Sequence, residues 1–150
     1  MRGKSDLSSL FLRLALAASF LSAVADRFGI WGAYGNAHVA WGNFARFIDY
    51  THVLTSAFPM PVSVFFAWAA TAAEIAFAVL LLIGWRIRIV SALSGLLLLA
   101  FAMSMAAALG VKAPLDYSVF SAAAAAIFLS CQPPDRFTFD ARRFRIVQGR

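Results

Sequence analysis

Two ionisable residues stand inside otherwise apolar stretches of this chain: Arg13 within residues 7–25 and Glu74 within residues 62–83. A charge at the centre of a membrane helix costs about 3 kcal/mol on insertion scales. An acid facing a guanidinium is the simplest arrangement that keeps both charged, and a buried carboxylate can also accept or relay a proton. The competing reading sends Arg13 along the helix to the headgroups and leaves Glu74 protonated, bonded to Thr71 or a backbone carbonyl. A third acid, Asp116, follows Pro114 by two residues. Its simplest role is a carboxylate at the N-terminal end of a fourth helix, and its functional alternative is a ligand or proton site.

Other chemistry is sparse. Cys131 is the only cysteine, so a disulfide within the chain, a Cys-x-x-Cys pair and iron–sulfur ligation are all excluded. His38 and His52 are too few for a metal or haem site without further ligands. No Walker motif, glycine-rich dinucleotide turn or Ser/His/Asp constellation occurs.

The elements that must position Arg13 and Glu74 are membrane spans. Hydrophobic residues make up 62% of the 150 and charged residues 13%, and mean hydropathy is +0.79, a composition that an aqueous surface does not tolerate. Four apolar stretches, at 7–25, 62–83, 87–109 and 115–131, approach the ~20 residues needed to cross ~30 Å of hydrocarbon. Pro59 and Pro61 precede the second, Gly84 closes it, Pro114 stands before the fourth and Pro133-Pro134 ends it. The expected fold is all-α: one domain over 1–150, a four-helix transmembrane bundle with a basic tail at 132–150.

Nine basic residues (Arg2, Lys4, Arg86, Arg88, Arg136, Arg142, Arg143, Arg145 and Arg150) fall on one side of such a bundle, and Arg27, Arg46 and Lys112 on the other. This bias predicts a bacterial-type inner-membrane protein with both termini cytoplasmic. It also assigns the net charge of +6 to topology and anionic lipid, with no call for nucleic acid. Phe137, Phe139, Phe144, Ile146 and Val147 among the tail arginines suggest a surface-lying segment. Ala23-Val24-Ala25 matches a signal-peptidase pattern, but Arg13 interrupts the core of such a signal, so the first span is expected to be retained.

Residues 26–60 form the long outer connection, rich in Trp31, Tyr34, Trp41, Phe44, Phe47, Ile48, Tyr50 and Phe58. Trp41, Phe44, Ile48 and Thr51 recur at helical spacing, which predicts a short interfacial helix. In the second span, Ala67, Ala70, Thr71 and Ala78 share the face of Glu74 and allow close helix approach. Ser91 with Gly95, and Ala122 with Ala126, serve the same purpose in spans three and four. Glu74 therefore points into the bundle. Arg13 stands ~9 Å and Glu74 ~15 Å from the cytoplasmic ends of their spans, within reach of an arginine side chain.

The segments "LRLALAASFLSAVADRFGIWG", "WAATAAEIAFAVLLLIGWRIR" and "KAPLDYSVFSAA" resemble the DoxX family, which includes relatives of a small membrane subunit of thiosulfate:quinone oxidoreductase. The resemblance covers about residues 10–130 and rests most on the second-helix Glu followed by an apolar run, Gly and basic residues. It implies a membrane subunit of a quinone-linked or oxidative-stress redox complex, with Arg13 and Glu74 as matched polar residues and Asp116 as a weaker match. On this reading Phe65, Phe66, Trp68 and Phe77 wall a quinone slot, no cofactor is bound covalently and quinone is the candidate ligand, and partners are lipid with other redox subunits or further copies of the chain. The alternatives are a small proton-coupled carrier, or a scaffold with no activity of its own.

Overall fold

The computed structural model describes residues 2–141, with side chains from Ser5 onward. The tail residues Arg142, Arg143, Phe144, Arg145, Ile146, Val147 and Arg150, on which part of the charge bias and of the surface-segment expectation rests, lie outside the described residues. So do the side chains of Arg2 and Lys4.

Six helices follow one another: α1 (Arg2–Arg27), α2 (Phe44–Leu54), α3 (Met60–Ile83), α4 (Ile87–Leu109), α5 (Lys112–Asp116) and α6 (Val119–Cys131). Three of them, Ser5–Arg27 within α1, α3 and α4, are long and apolar enough to cross a membrane. α6 is apolar but has only 13 residues, a rise of ~20 Å that falls short of the hydrocarbon thickness. The expected fourth span at 115–131 is thus not one continuous helix of crossing length. Pro114 lies inside the short α5, and Ser118 turns left-handed at φ 55°, breaking the chain between α5 and α6. A left-handed serine carries no sequence signal comparable to Gly or Pro.

Local chemistry explains the remaining boundaries. Asn43 caps α2 by accepting from the Arg46 N–H at 3.0 Å. Pro59 and Pro61 open α3, where the missing N–H groups cost nothing. Gly84 ends α3 at φ 72°, with its N–H returned to Leu80 O at 2.8 Å. A β-carbon there would stand 2.0 Å from Arg13 Nη1 and 2.8 Å from Thr138 Cα, so only glycine fits.

α1 packs against α3, and α4 against α6, with α3–α4 contacts joining the pairs. Gly95 lets α4 and α6 close up: a β-carbon on it would lie 2.6 Å from Ile127 Cγ1 and 3.2 Å from Ala123 O. The apolar core gathers Leu16, Ala17 and Phe20 of α1, Ala78 and Leu81 of α3, Ile87 and Val90 of α4, and Ala126 and Leu129 of α6. It occupies the half of the molecule nearer the α3–α4 turn. Polar layers bound it on both sides, one toward that turn and one toward the loop that carries α2.

Candidate buried ion-pair site

The buried face of α3 runs Ser63, Ala67, Thr71, Glu74, Ala78 and Leu81, so Glu74 does point inward. Its partner, however, is Arg27 and not Arg13. Arg27 Nη2 donates to Glu74 Oε1 and Nη1 donates to Thr71 Oγ1, both at 2.8 Å. Thr71 in turn donates to Ala67 O at 2.8 Å, which fixes its hydroxyl as acceptor toward the arginine. Arg27 is 3% exposed and Glu74 1%. One guanidinium thus clasps two successive turns of α3 in the fork geometry that lysine cannot reproduce.

An aromatic lid closes this clasp. The Arg27 guanidinium carbon lies 3.8 Å from the Phe47 ring centroid and 5.4 Å from that of Trp41, and the two rings meet edge to face at 5.1 Å. The neighbouring residue holds the lid down: Asp26 accepts from the N–H groups of Ala40 (2.9 Å), Trp41 (3.2 Å) and Gly42 (3.3 Å). At its other end α2 is tied to the start of α3, where Ser63 Oγ meets His52 Nδ1 at 2.9 Å and Thr55 Oγ1 at 2.8 Å. Inside, Glu74 Oε2 and Arg27 Nε have no hydrogen-bond partner among the described residues. The centre therefore retains one open acceptor on its carboxylate.

Arg13 belongs to the opposite layer. It is 2% exposed, with Nε 3.9 Å from Asp135 Oδ2 and Nη1 against Gly84. Nearby, Asp140 accepts from Arg86 N (3.0 Å) and Ile87 N (2.9 Å), capping α4 from the segment after α6. The expected Arg13–Glu74 pair is thus two separate sites. The helical rise explains why: fourteen residues of α1 separate Arg13 from Arg27, ~21 Å. With the first span ending at Ala25, Arg27 falls in the outer connection. The buried series Arg13, Leu16, Phe20, Val24 and Arg27 has spacings of three and four, the signal that places Arg27 on the inner face.

The other expected residues are scattered. Phe65, Phe66 and Trp68 are exposed on the outside of α3, and Phe77 packs against the apolar core, so these four do not wall a slot around Glu74. Asp116 ends α5 instead of beginning the next helix, and its exposed carboxylate pairs with Lys112 one turn back. His38 and His52 take separate positions, and the described residues hold no cluster of three potential metal ligands.

A family model described as "Methylamine utilisation protein MauE" matches residues 5–116. The chain belongs to the MauE family. The match includes Arg27, Thr71 and Glu74 together with α2, so the whole clasp lies within the family domain. It also corrects the resemblance to DoxX, which is a different family. An acid within an apolar helix, then Gly and basic residues, describes any short-looped helical hairpin that meets a charged membrane surface, and does not separate one such family from another. No curated protein and no solved structure matches the chain. As a MauE-family protein with three apolar helices of crossing length, it is a multi-pass membrane protein.

Proposed function

We propose that this MauE-family chain is a membrane scaffold subunit of a methylamine-utilisation system, and that its Arg27–Thr71–Glu74 clasp holds the α2 layer in shape for partner proteins on the outward side. The observation that carries this is the clasp itself. A guanidinium removed from water spans two turns of α3 and is sealed by Phe47 and Trp41, so the spans and the loop layer share one fastening. Removing one member of such a pair leaves an uncompensated buried charge and costs about 3–5 kcal/mol. The chain's single cysteine is exposed at the end of α6, so any thiol exchange requires a second protein. Asp140, after α6, bonds to the α3–α4 turn, so the chain returns to that side and the basic bias supports the outward placement of α2.

The test is growth on methylamine as sole nitrogen source by a host deleted for this gene and complemented with variants, alongside folded yield in mild detergent. Wild type should restore growth, Glu74→Ala should lose both growth and yield, and co-purification should recover other proteins of the system. Normal growth of the deletion strain would contradict the reading. The open oxygen of Glu74 favours a second reading, in which the carboxylate handles a proton. An Arg27→Met/Glu74→Gln double variant that folds but fails to support growth selects that reading, whereas recovery of both selects the scaffold.

A further inference from the structure

Beside α1 the loop folds back to leave a cavity of about 700 Å3, within the range of small-molecule sites. Its floor is the small-residue face of α1, including Ser19 and Ser22, and its walls include Asp26, Trp31 and His38. Asp26 is 7% exposed yet reaches the cavity. Its neighbour Arg27 is committed to α3, and among the described residues no basic side chain forms an ion pair with Asp26. The carboxylate takes three backbone N–H groups, two on Oδ2 and one on Oδ1, of the roughly four acceptor positions a carboxylate offers. Trp31 is held beside it, its indole N–H donating to Ser22 O at 3.1 Å.

A buried negative charge lacking a cation, an aromatic ring and two serines bordering one cavity form a recognisable set. A primary ammonium satisfies it: it donates hydrogen bonds to the carboxylate and hydroxyls and lies against the ring. We propose that this cavity binds a primary ammonium group, with Asp26 as counter-charge and Trp31 as aromatic wall. Two sources share that chemistry: a free alkylammonium such as methylammonium, and the ammonium of a phosphatidylethanolamine headgroup. A quaternary ammonium has the charge without the donors. The site shares Asp26 with the loop that covers the clasp, but it does not depend on the scaffold reading.

The full chain in nanodiscs without phosphatidylethanolamine is titrated with radiolabelled methylammonium in a scintillation proximity assay, with tetramethylammonium as competitor. In parallel, lipid retained from mixed phosphatidylethanolamine and phosphatidylcholine is measured by native mass spectrometry. Ser22→Leu fills the cavity from an exposed helix face and leaves the Asp26 hydrogen bonds alone, so it serves where Asp26→Asn fails to fold. Saturable methylammonium binding that tetramethylammonium does not displace, weakened about tenfold or more by Ser22→Leu, assigns the free amine. Selective retention of phosphatidylethanolamine, lost in Ser22→Leu, assigns the headgroup. The proposal is overturned if neither primary ammonium is preferred over its permethylated counterpart, or if Ser22→Leu changes nothing.

Discussion

Two buried arginines, fourteen residues apart on one helix, are held in different ways. Arg27 makes two hydrogen bonds at 2.8 Å, whereas Arg13 approaches Asp135 only to 3.9 Å. Arg27→Lys keeps the charge but loses the fork that joins Thr71 to Glu74, so it should lower the detergent melting temperature about as much as Thr71→Ala and Glu74→Gln do. Unchanged melting of Arg27→Lys would show that charge alone suffices. Tyr50 of α2 supplies a pH-dependent check: burial first, and Tyr117 second, push its phenol above the usual tyrosine value. Because the folded state holds that proton more tightly, its contribution to stability is complete below the unfolded value near 10 and is lost as pH rises through the folded value. Melting above pH 10 should therefore fall less steeply in Tyr50→Phe than in wild type. Glu74 was readable from sequence as a lone acid in an apolar run. Its partner was not, because Arg27 abuts the aromatic loop and the hydropathy fades two residues before it.

α1, α3 and α4 advertise themselves through length, Pro59, Pro61 and Gly84, and the small residues of α3 correctly mark its inward face. The helix around Phe44–Leu54 was also visible in its aromatic spacing. What the sequence does not show is the split between α5 and α6, since the left-handed turn falls on Ser118, a residue type that does not demand it. The same split puts Asp116 at the end of α5 and not at the start of a fourth span. Two substitutions test the element boundaries. Asn43→Ala should destabilise α2 by about 1 kcal/mol through loss of its cap, and should raise proteolysis of the 28–58 loop; equal protection would deny the cap that role. Gly84→Ala places a methyl group on Arg13 and Thr138 at a positive φ, and should cost at least ~1 kcal/mol. An unchanged melting temperature would mean that Arg13 does not pack there.

Across the whole molecule, an apolar core lies between two polar layers, one fastening α1 to α3 beneath α2, the other fastening the segment after α6 to the α3–α4 turn. This division makes the Arg27 clasp the centre of the account and Arg13 independent of it. Residues in contact couple energetically, whereas those separated by more than about 10 Å nearly add. The decisive measurement is a pair of double-mutant cycles on the full chain in mild detergent, crossing Glu74→Gln with Arg27→Met and, separately, with Arg13→Met. The account predicts coupling of about 1–3 kcal/mol between Arg27 and Glu74, with the double variant less damaged than the two single losses combined, and none within error between Arg13 and Glu74. Additivity at Arg27, or coupling at Arg13, would contradict it.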